Sequence, residues 1–295
     1  MPVKYLASIT EPNKIITAID ASIRFPEILD SCQIKYVEDI ARFKALVAES
    51  QSTEELLGRI RSSAFTANQR MSLLKMFRRC VSPVLDTEMA KKITKVSTNS
   101  LIQSLGHTFK RVDLLQQQMA SLTKDQEAAL AALIGEYDTK GQLGYFLTEA
   151  FFTWFENSFH GIFTIEGPRG AGRDIELSSV FPNYSGSYPC DFVIRNAKSK
   201  TVCAIGFARY DSTRGGAQSD DRTGGNSDKV GKARELFNST GEKFRLLFLA
   251  DGPGLIHNDT WAEACKLDGS WSGNVRVTTM KTAPSRITAD WLSHI

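Results

Sequence analysis

The run Pro189-Cys190-Asp191-Phe192-Val193-Ile194 places one acid at the head of an apolar, β-rich segment. A carboxylate there is costly unless it is exposed, paired or bound to a metal. Proline is tolerated at a strand start, so Pro189-x-Asp191 suits such a position. Two further acids, Glu149 and Glu156, interrupt the aromatic stretch YFLTEAFFTWFENSF (145–159), two helical turns apart on a similar face. A fourth, Asp211, closes the run TVCAIGFARYD (201–211), just beyond Arg209. Carboxylates on two adjacent strands, joined by one from a helix, can gather on a hard divalent cation such as Mg²⁺. With a positive side chain beside them, they have the parts that phosphodiester hydrolysis needs: a held metal, an activated water and neutralised charge on the phosphate. Pro-x-Asp alone is short and common, and a strand-end Asp that caps a turn has the same appearance.

The elements that must position these residues fall into two kinds. Residues 1–140 read as helical. Apolar residues recur at spacings of three and four over Glu38–Ala48, Thr53–Ser63 and Thr66–Cys80. The pattern continues through Thr87–Thr94 and Leu101–Thr123. Thr123-Lys124-Asp125-Gln126 has the form of a capping box opening a helix that runs to about Tyr137. The remainder, 141–295, reads as a mixed α/β core. It begins with the apolar helix Tyr145–Phe159. A hairpin follows, Tyr188–Arg195 with Thr201–Tyr210. After a long polar loop (Asp211–Asp228) come a helix at Lys229–Asn238 and a strand at Lys243–Ala250 that is apolar on both faces. Strand–helix–strand order implies parallel neighbours. A helix at Asp259–Leu267 and a strand at Val275–Met280 complete the core.

Composition limits the classes open to the chain. Its 295 residues suit one large domain or two ordinary ones. With 42% hydrophobic and 23% charged residues of mixed sign, it is not globally disordered. The net charge of +3 is mild, yet residues 70–111 carry nine Lys/Arg against two Asp/Glu. Such a run is either a solvated helix face or a face that contacts phosphates. The five cysteines are scattered without a CxxC pair, and the four histidines do not cluster with them, which argues against a zinc site. No leader segment and no apolar run of membrane-spanning length are evident, so a cytoplasmic protein without a membrane partner is expected.

The order CDFVIRN…TVCAIGFARYDS, a Gly-rich polar loop, an amphipathic helix and then FRLLFLADGPG resembles the catalytic core of type II restriction endonucleases of the PD-(D/E)XK superfamily. It is most similar to the group that cuts GATC-type sites. The resemblance covers about Gly141 to Met280. It implies a helical N-terminal region followed by a restriction-endonuclease-like mixed sheet flanked by helices. The implied activity is Mg²⁺-dependent cleavage of double-stranded DNA by a homodimer, as part of restriction–modification. Asp191 matches the first metal-binding Asp, and Glu149 the helix acid that the superfamily often contributes. The pattern departs at the second strand, where Gly206 stands at the Glu position and Ala208 at the Lys position.

Three explanations stay open for that departure. The ligand has moved along the strand to Asp211, with Arg209 or Arg214 supplying positive charge; it comes from Asp174 or Glu176 in RDIEL; or the site is silent. The leading expectation is Mg²⁺ held by Asp191, Asp211 and Glu149, with Arg209 catalytic. On one strand Arg209 and Asp211 share a face, and Gly206, Ala208 and Tyr210 share the other. The loop residues Arg214, Gln218, Asp220, Asp221 and Arg222 are of the types that read base edges, and with Lys229 they form the expected DNA contacts. GPRGAGR (167–173) lacks the ending of a phosphate loop and reads as a turn.

Overall fold

The computed structural model describes residues 5–20, 23–136, 138, 142–212 and 219–293, with backbone only at 219–224 and 258. Contacts divide the chain into one unit of Ser22–Lys140 and another of Met1–Ala21 with Gly141–Ile295. The expected boundary at 140 therefore needs one correction, because the first residues group with the C-terminal unit. Leu6 packs into the core of that unit, and hydrogen bonds add to the hold. Leu6 N–H donates to Asp268 Oδ2 at 3.1 Å, Thr17 N–H to Asp251 Oδ1 at 2.8 Å and Ile19 N–H to the Tyr210 hydroxyl at 3.1 Å.

The first unit is all helix: α1 (Glu27–Glu49), α2 (Thr53–Ile60), α3 (Ala67–Cys80), α4 (Thr87–Lys91), α5 (Thr98–Leu105), α6 (Val112–Ala120) and α7 (Lys124–Gly135). Phe43, Leu57, Leu73, Phe77, Leu115 and Ile134 form its buried core. The helix expected over 101–123 is two helices joined by a 3₁₀ turn at Gly106–Thr108. Glycine weakens the helix there. The Thr108 hydroxyl, bonded to the Leu105 carbonyl at 2.7 Å, offers the backbone an alternative partner. The Thr123 capping box is present, with Thr123 and Gln126 bonding each other's backbone N–H.

The second unit runs α8 (Gln142–Ser158), β1 (Phe163–Glu166), β2 (Ile175–Glu176), α9 (Leu177–Val180), β3 (Pro189–Cys190), β4 (Phe192–Asn196), β5 (Val202–Tyr210), α10 (Ser219–Thr240), β6 (Arg245–Asp251), α11 (Asn258–Leu267), α12 (Ser270–Gly273), β7 (Val275–Thr278), α13 (Ala283–Arg286) and α14 (Ala289–Ser293). The fold is mixed α/β. One sheet has the order β1-β4-β5-β6-β7, and β2 pairs with β3 in a second. The hairpin β4/β5 is antiparallel, with Phe192 opposite Gly206. Strands β5, β6 and β7 are parallel.

Alternation sends side chains to two buried layers. Val193, Ile205, Phe207 and Phe248 pack under α10 and α11. Phe192, Ile194, Ala204, Leu247 and Leu249 pack under α8 and α14. Strand β6 is buried on both faces, as its apolar run implies.

Two expectations are corrected here. The loop expected over Asp211–Asp228 is shorter, because α10 starts at Ser219. Its first turns carry no apolar stripe, so periodicity registers only from Val230 onward. The hairpin's first arm is also split. Pro189–Cys190 leave the main sheet to pair with Ile175–Glu176, and only Phe192–Asn196 pair with β5.

Candidate functional site

Asp191 stands at the fork where the chain passes from one sheet to the other. Its backbone N–H still donates to the Gly206 carbonyl at 2.9 Å. Strand β5 runs on beyond the end of β4, which leaves the Ala208 N–H facing no strand. Asp191 Oδ2 accepts that N–H at 2.7 Å, so the carboxylate continues the ladder with its side chain. Burial pushes the Asp191 carboxyl above the usual carboxylate range, and Asp174 adds to the rise. The Ala208 N–H and the Lys229 ammonium act the other way.

Asp174 reaches this point through the small sheet. Ile175 pairs with Cys190 and Glu176 with Pro189, so one further step of that antiparallel register sets Asp174 opposite Asp191. Both line a pocket of about 230 Å³ together with Ala208, Thr148 of α8 and the glycine-rich loop. A Cβ on Gly167 would lie 2.3 Å from the Asp191 carbonyl oxygen, so this loop needs glycine to approach so closely. Asp174 is exposed and makes no ion pair among the described residues.

On the α10/α11 side, Asp191 also borders a cleft of about 320 Å³ with Arg209, Asp211, Lys229 and Glu263. Arg209 and Asp211 share one face of the strand, as alternation predicts, and are tied together. Arg209 Nη2 and Nε lie 2.5 and 2.7 Å from Asp211 Oδ1. Lys229 Nζ sits 3.9 Å from the Phe207 ring centroid. Burial lowers its pKa, while Asp191 and Asp174 hold its proton on.

Glu263, on α11, was not singled out from the sequence. It reads there as one acid on a solvated helix face, with no spacing to mark it. Its carboxyl is pushed up to about 7, chiefly by burial, against the pull of Arg209, Asn226 and Lys229. Its Oε1 is buried without a hydrogen-bond partner among the described residues.

Glu149 lies elsewhere. It accepts Arg169 Nη1 at 2.7 Å, and Glu156 accepts Arg169 Nη2 at 2.5 Å. The two acids do share a face, but an arginine of the GPRGAGR loop spans them there. The Arg169 guanidinium also lies over the Phe152 ring, 5.2 Å from its centroid. The α8 residues that line the Asp191 pocket are Gly144, Tyr145 and Thr148, the last one position before Glu149.

A Mg²⁺ centre on Asp191, Asp211 and Glu149 therefore does not fit. Glu149 is outside the pocket, and the Asp211 carboxylate is already engaged by Arg209. Among the described residues no three His, Cys, Asp or Glu side chains cluster as a metal-binding group. The pair Asp191 and Asp174 does fit a hard cation that takes one or two carboxylates and fills its remaining positions with water and substrate phosphate.

The expected base-reading residues Arg214 and Gln218 lie outside the described residues, as do the side chains of Asp220, Asp221 and Arg222. No family model matches this chain, and no curated protein or solved structure matches it significantly. No described helix is long and apolar enough to cross a membrane.

Proposed function

We propose that the protein is a site-specific, Mg²⁺-dependent endonuclease of double-stranded DNA, built as a PD-(D/E)XK core with a relocated second acid. One observation carries this reading. Asp191, at the head of β4, faces Asp174 across the small sheet, with Lys229 beside them. The succession α8, β4, β5, α10 and β6 follows the order on which the resemblance rests, with β1, β2, α9 and β3 added between α8 and β4.

In this reading Asp191 and Asp174 hold the cation, which when bound would polarise the scissile phosphate and acidify its water. The Ala208 N–H fixes the orientation of the Asp191 carboxylate. Lys229 neutralises charge that develops on the phosphate, a task for which a pre-placed cation at a buried site is well suited. Arg209 holds Asp211 in place at the border of the same cleft and so acts by positioning. A two-fold symmetric DNA site would be read by two copies of the chain.

A second reading, a DNA-binding protein on the same scaffold that does not cut, is favoured by a different observation. The space for a side chain at residue 206 is filled by the Phe192 ring.

Incubating the protein with long unmethylated DNA, in Mg²⁺ and in EDTA, separates the two. Discrete fragments only with Mg²⁺, lost in Asp191→Ala and in Asp174→Asn, support the endonuclease. Intact DNA in both lanes, with retarded probe, supports the silent scaffold.

A further inference from the structure

The helical unit carries a cleft of about 370 Å³ between α3, α4 and α7. Lys75, Arg78 and Arg79 of α3 and Lys91 of α4 line it, against a single carboxylate, Glu88. This is where the charge asymmetry of the sequence becomes a surface. The nine Lys/Arg of residues 70–111 face two Asp/Glu, whereas residues 22–69 hold six Lys/Arg and seven Asp/Glu. Spacing along α3 puts positions 75, 78 and 79 on one side of the helix. Met71, the exposed Leu133 and the buried Ile134 supply the apolar part of the lining, and Thr87 adds a hydroxyl.

Two of these cations have weak partners among the described residues. Lys91 lies 3.1 Å from the exposed Glu88. Among the described residues, the exposed Arg78 donates only to the Pro83 carbonyl, at 3.3 Å. Lys75 is more firmly placed, 2.6 Å from Asp138. Exposed ion pairs are weak, so a phosphate that brings its own charge can exchange with Glu88 at little cost. Arginine also offers a planar fork that matches phosphate oxygens.

We propose that this cleft binds the phosphodiester backbone of DNA. It supplies sequence-independent affinity from the helical unit, separate from the chemistry around Asp191. The inference rests on the DNA reading above. Four cations against one carboxylate in a cleft match a row of phosphates by charge. An acidic peptide is the competing occupant that the test must address.

The test is the salt dependence of duplex binding by the full chain, measured by fluorescence anisotropy with wild type, Arg78→Glu, Lys91→Glu and the double variant. Each phosphate that is no longer neutralised should reduce the slope of log K against log salt by about 0.9, so the double variant should show a slope shallower by about 2. Arg78→Lys should keep most of the affinity. Lys124→Glu makes the same change in net charge as either single variant, at an exposed site outside the cleft lining, and should leave the slope near wild type. Matching thermal melts identify any variant that loses affinity by unfolding.

A double variant with the wild-type slope, in a protein that still binds duplex, would overturn the cleft assignment and leave the DNA reading standing. Wild-type protein that binds no duplex at low salt would overturn both. Polyglutamate that binds wild type more tightly than duplex, and loses that binding in the double variant, would assign the cleft to an acidic peptide instead.

Discussion

The Phe192 ring lies where a side chain at residue 206 would have to be: a Cβ built on Gly206 would sit 1.9 Å from Phe192 Cζ. The two residues are paired across the hairpin. The ring is fully buried, with centroids 5.4 Å from Phe151 and 5.8 Å from Phe152 of α8. The glycine at the expected Glu position is thus part of a packed aromatic layer. A carboxylate cannot be restored there by substitution at that position alone.

Gly206→Ala should therefore destabilise the protein by about 1–3 kcal/mol, because even one methyl overpacks the layer. Adding Phe192→Leu should recover part of the loss, so the pair would show a coupling energy of opposite sign to the single effects. Urea denaturation of the four members of the cycle measures this. Additive effects would mean that the ring moves aside freely. Cutting by Gly206→Glu, if it can be restored at all, should then require a smaller residue at 192 as well.

Glu263→Gln should change how stability depends on pH. The Glu263 carboxyl is raised by burial, so the folded state holds its proton more tightly than the unfolded chain. Its favourable contribution is complete below the ordinary glutamate value of about 4.3 and is lost as pH rises through about 7. Glutamine has no such dependence. At pH 8 the variant should be the more stable protein, by about 1 kcal/mol once solvent screening of a half-exposed group is allowed for, and near pH 4 the two should match. Melting curves across that range check it. Identical profiles would show that Asn226, Arg209 and Lys229 already compensate the charge.

Much of this arrangement was legible in the sequence, for identifiable reasons. The helix at 124–135 announces itself because a Thr and a Gln three residues apart can satisfy each other's backbone. Strand β6 is plain because its central run Leu246–Leu249, buried on both faces, leaves no polar alternation. The shared face of Arg209 and Asp211 follows from strand period alone. The sequence offers Asp174 as one alternative among three, but its place opposite Asp191 rests on a two-residue strand, β2, too short for any pattern to register. The Glu149–Arg169–Glu156 bridge depends on a glycine-rich turn folding back over α8, which no spacing within α8 can reveal. Phe192 over Gly206 is a matter of register, and register becomes visible only once both strands are placed.

The Asp268–Arg286 pair should prove a structural anchor. Asp268 is fully buried, and Arg286 reaches it directly. The same carboxylate accepts the Leu6 and Val277 N–H groups, each at 3.1 Å. It therefore ties the N-terminal segment to β7. Asp268→Ala leaves a buried guanidinium uncompensated and should cost about 3–5 kcal/mol. Limited proteolysis of the variant should cut first within residues 5–20. Cleavage that begins elsewhere would show that Asp251 and Tyr210 hold this segment on their own.

The two candidate sources of a second metal carboxylate make opposite forecasts. Glu149 is half exposed and spends its charge on Arg169, so Glu149→Gln removes one surface ion pair and should change stability by less than about 1 kcal/mol. In an endonuclease whose cation is held by Asp191 and Asp174, it should leave Mg²⁺-dependent cleavage within a few-fold of wild type. Asp174→Asn keeps the shape of the pocket, removes one ligand charge and should abolish cleavage while retaining duplex binding. The metal dependence carries the distinction. Raising Mg²⁺ tenfold should not rescue a variant that has lost a direct ligand, but should rescue one in which Arg169, freed from Glu149, merely competes with the cation near the pocket. Loss of cleavage in Glu149→Gln at all metal concentrations, with Asp174→Asn active, would move the ligand back to α8 and require Arg169 to swing away when DNA binds.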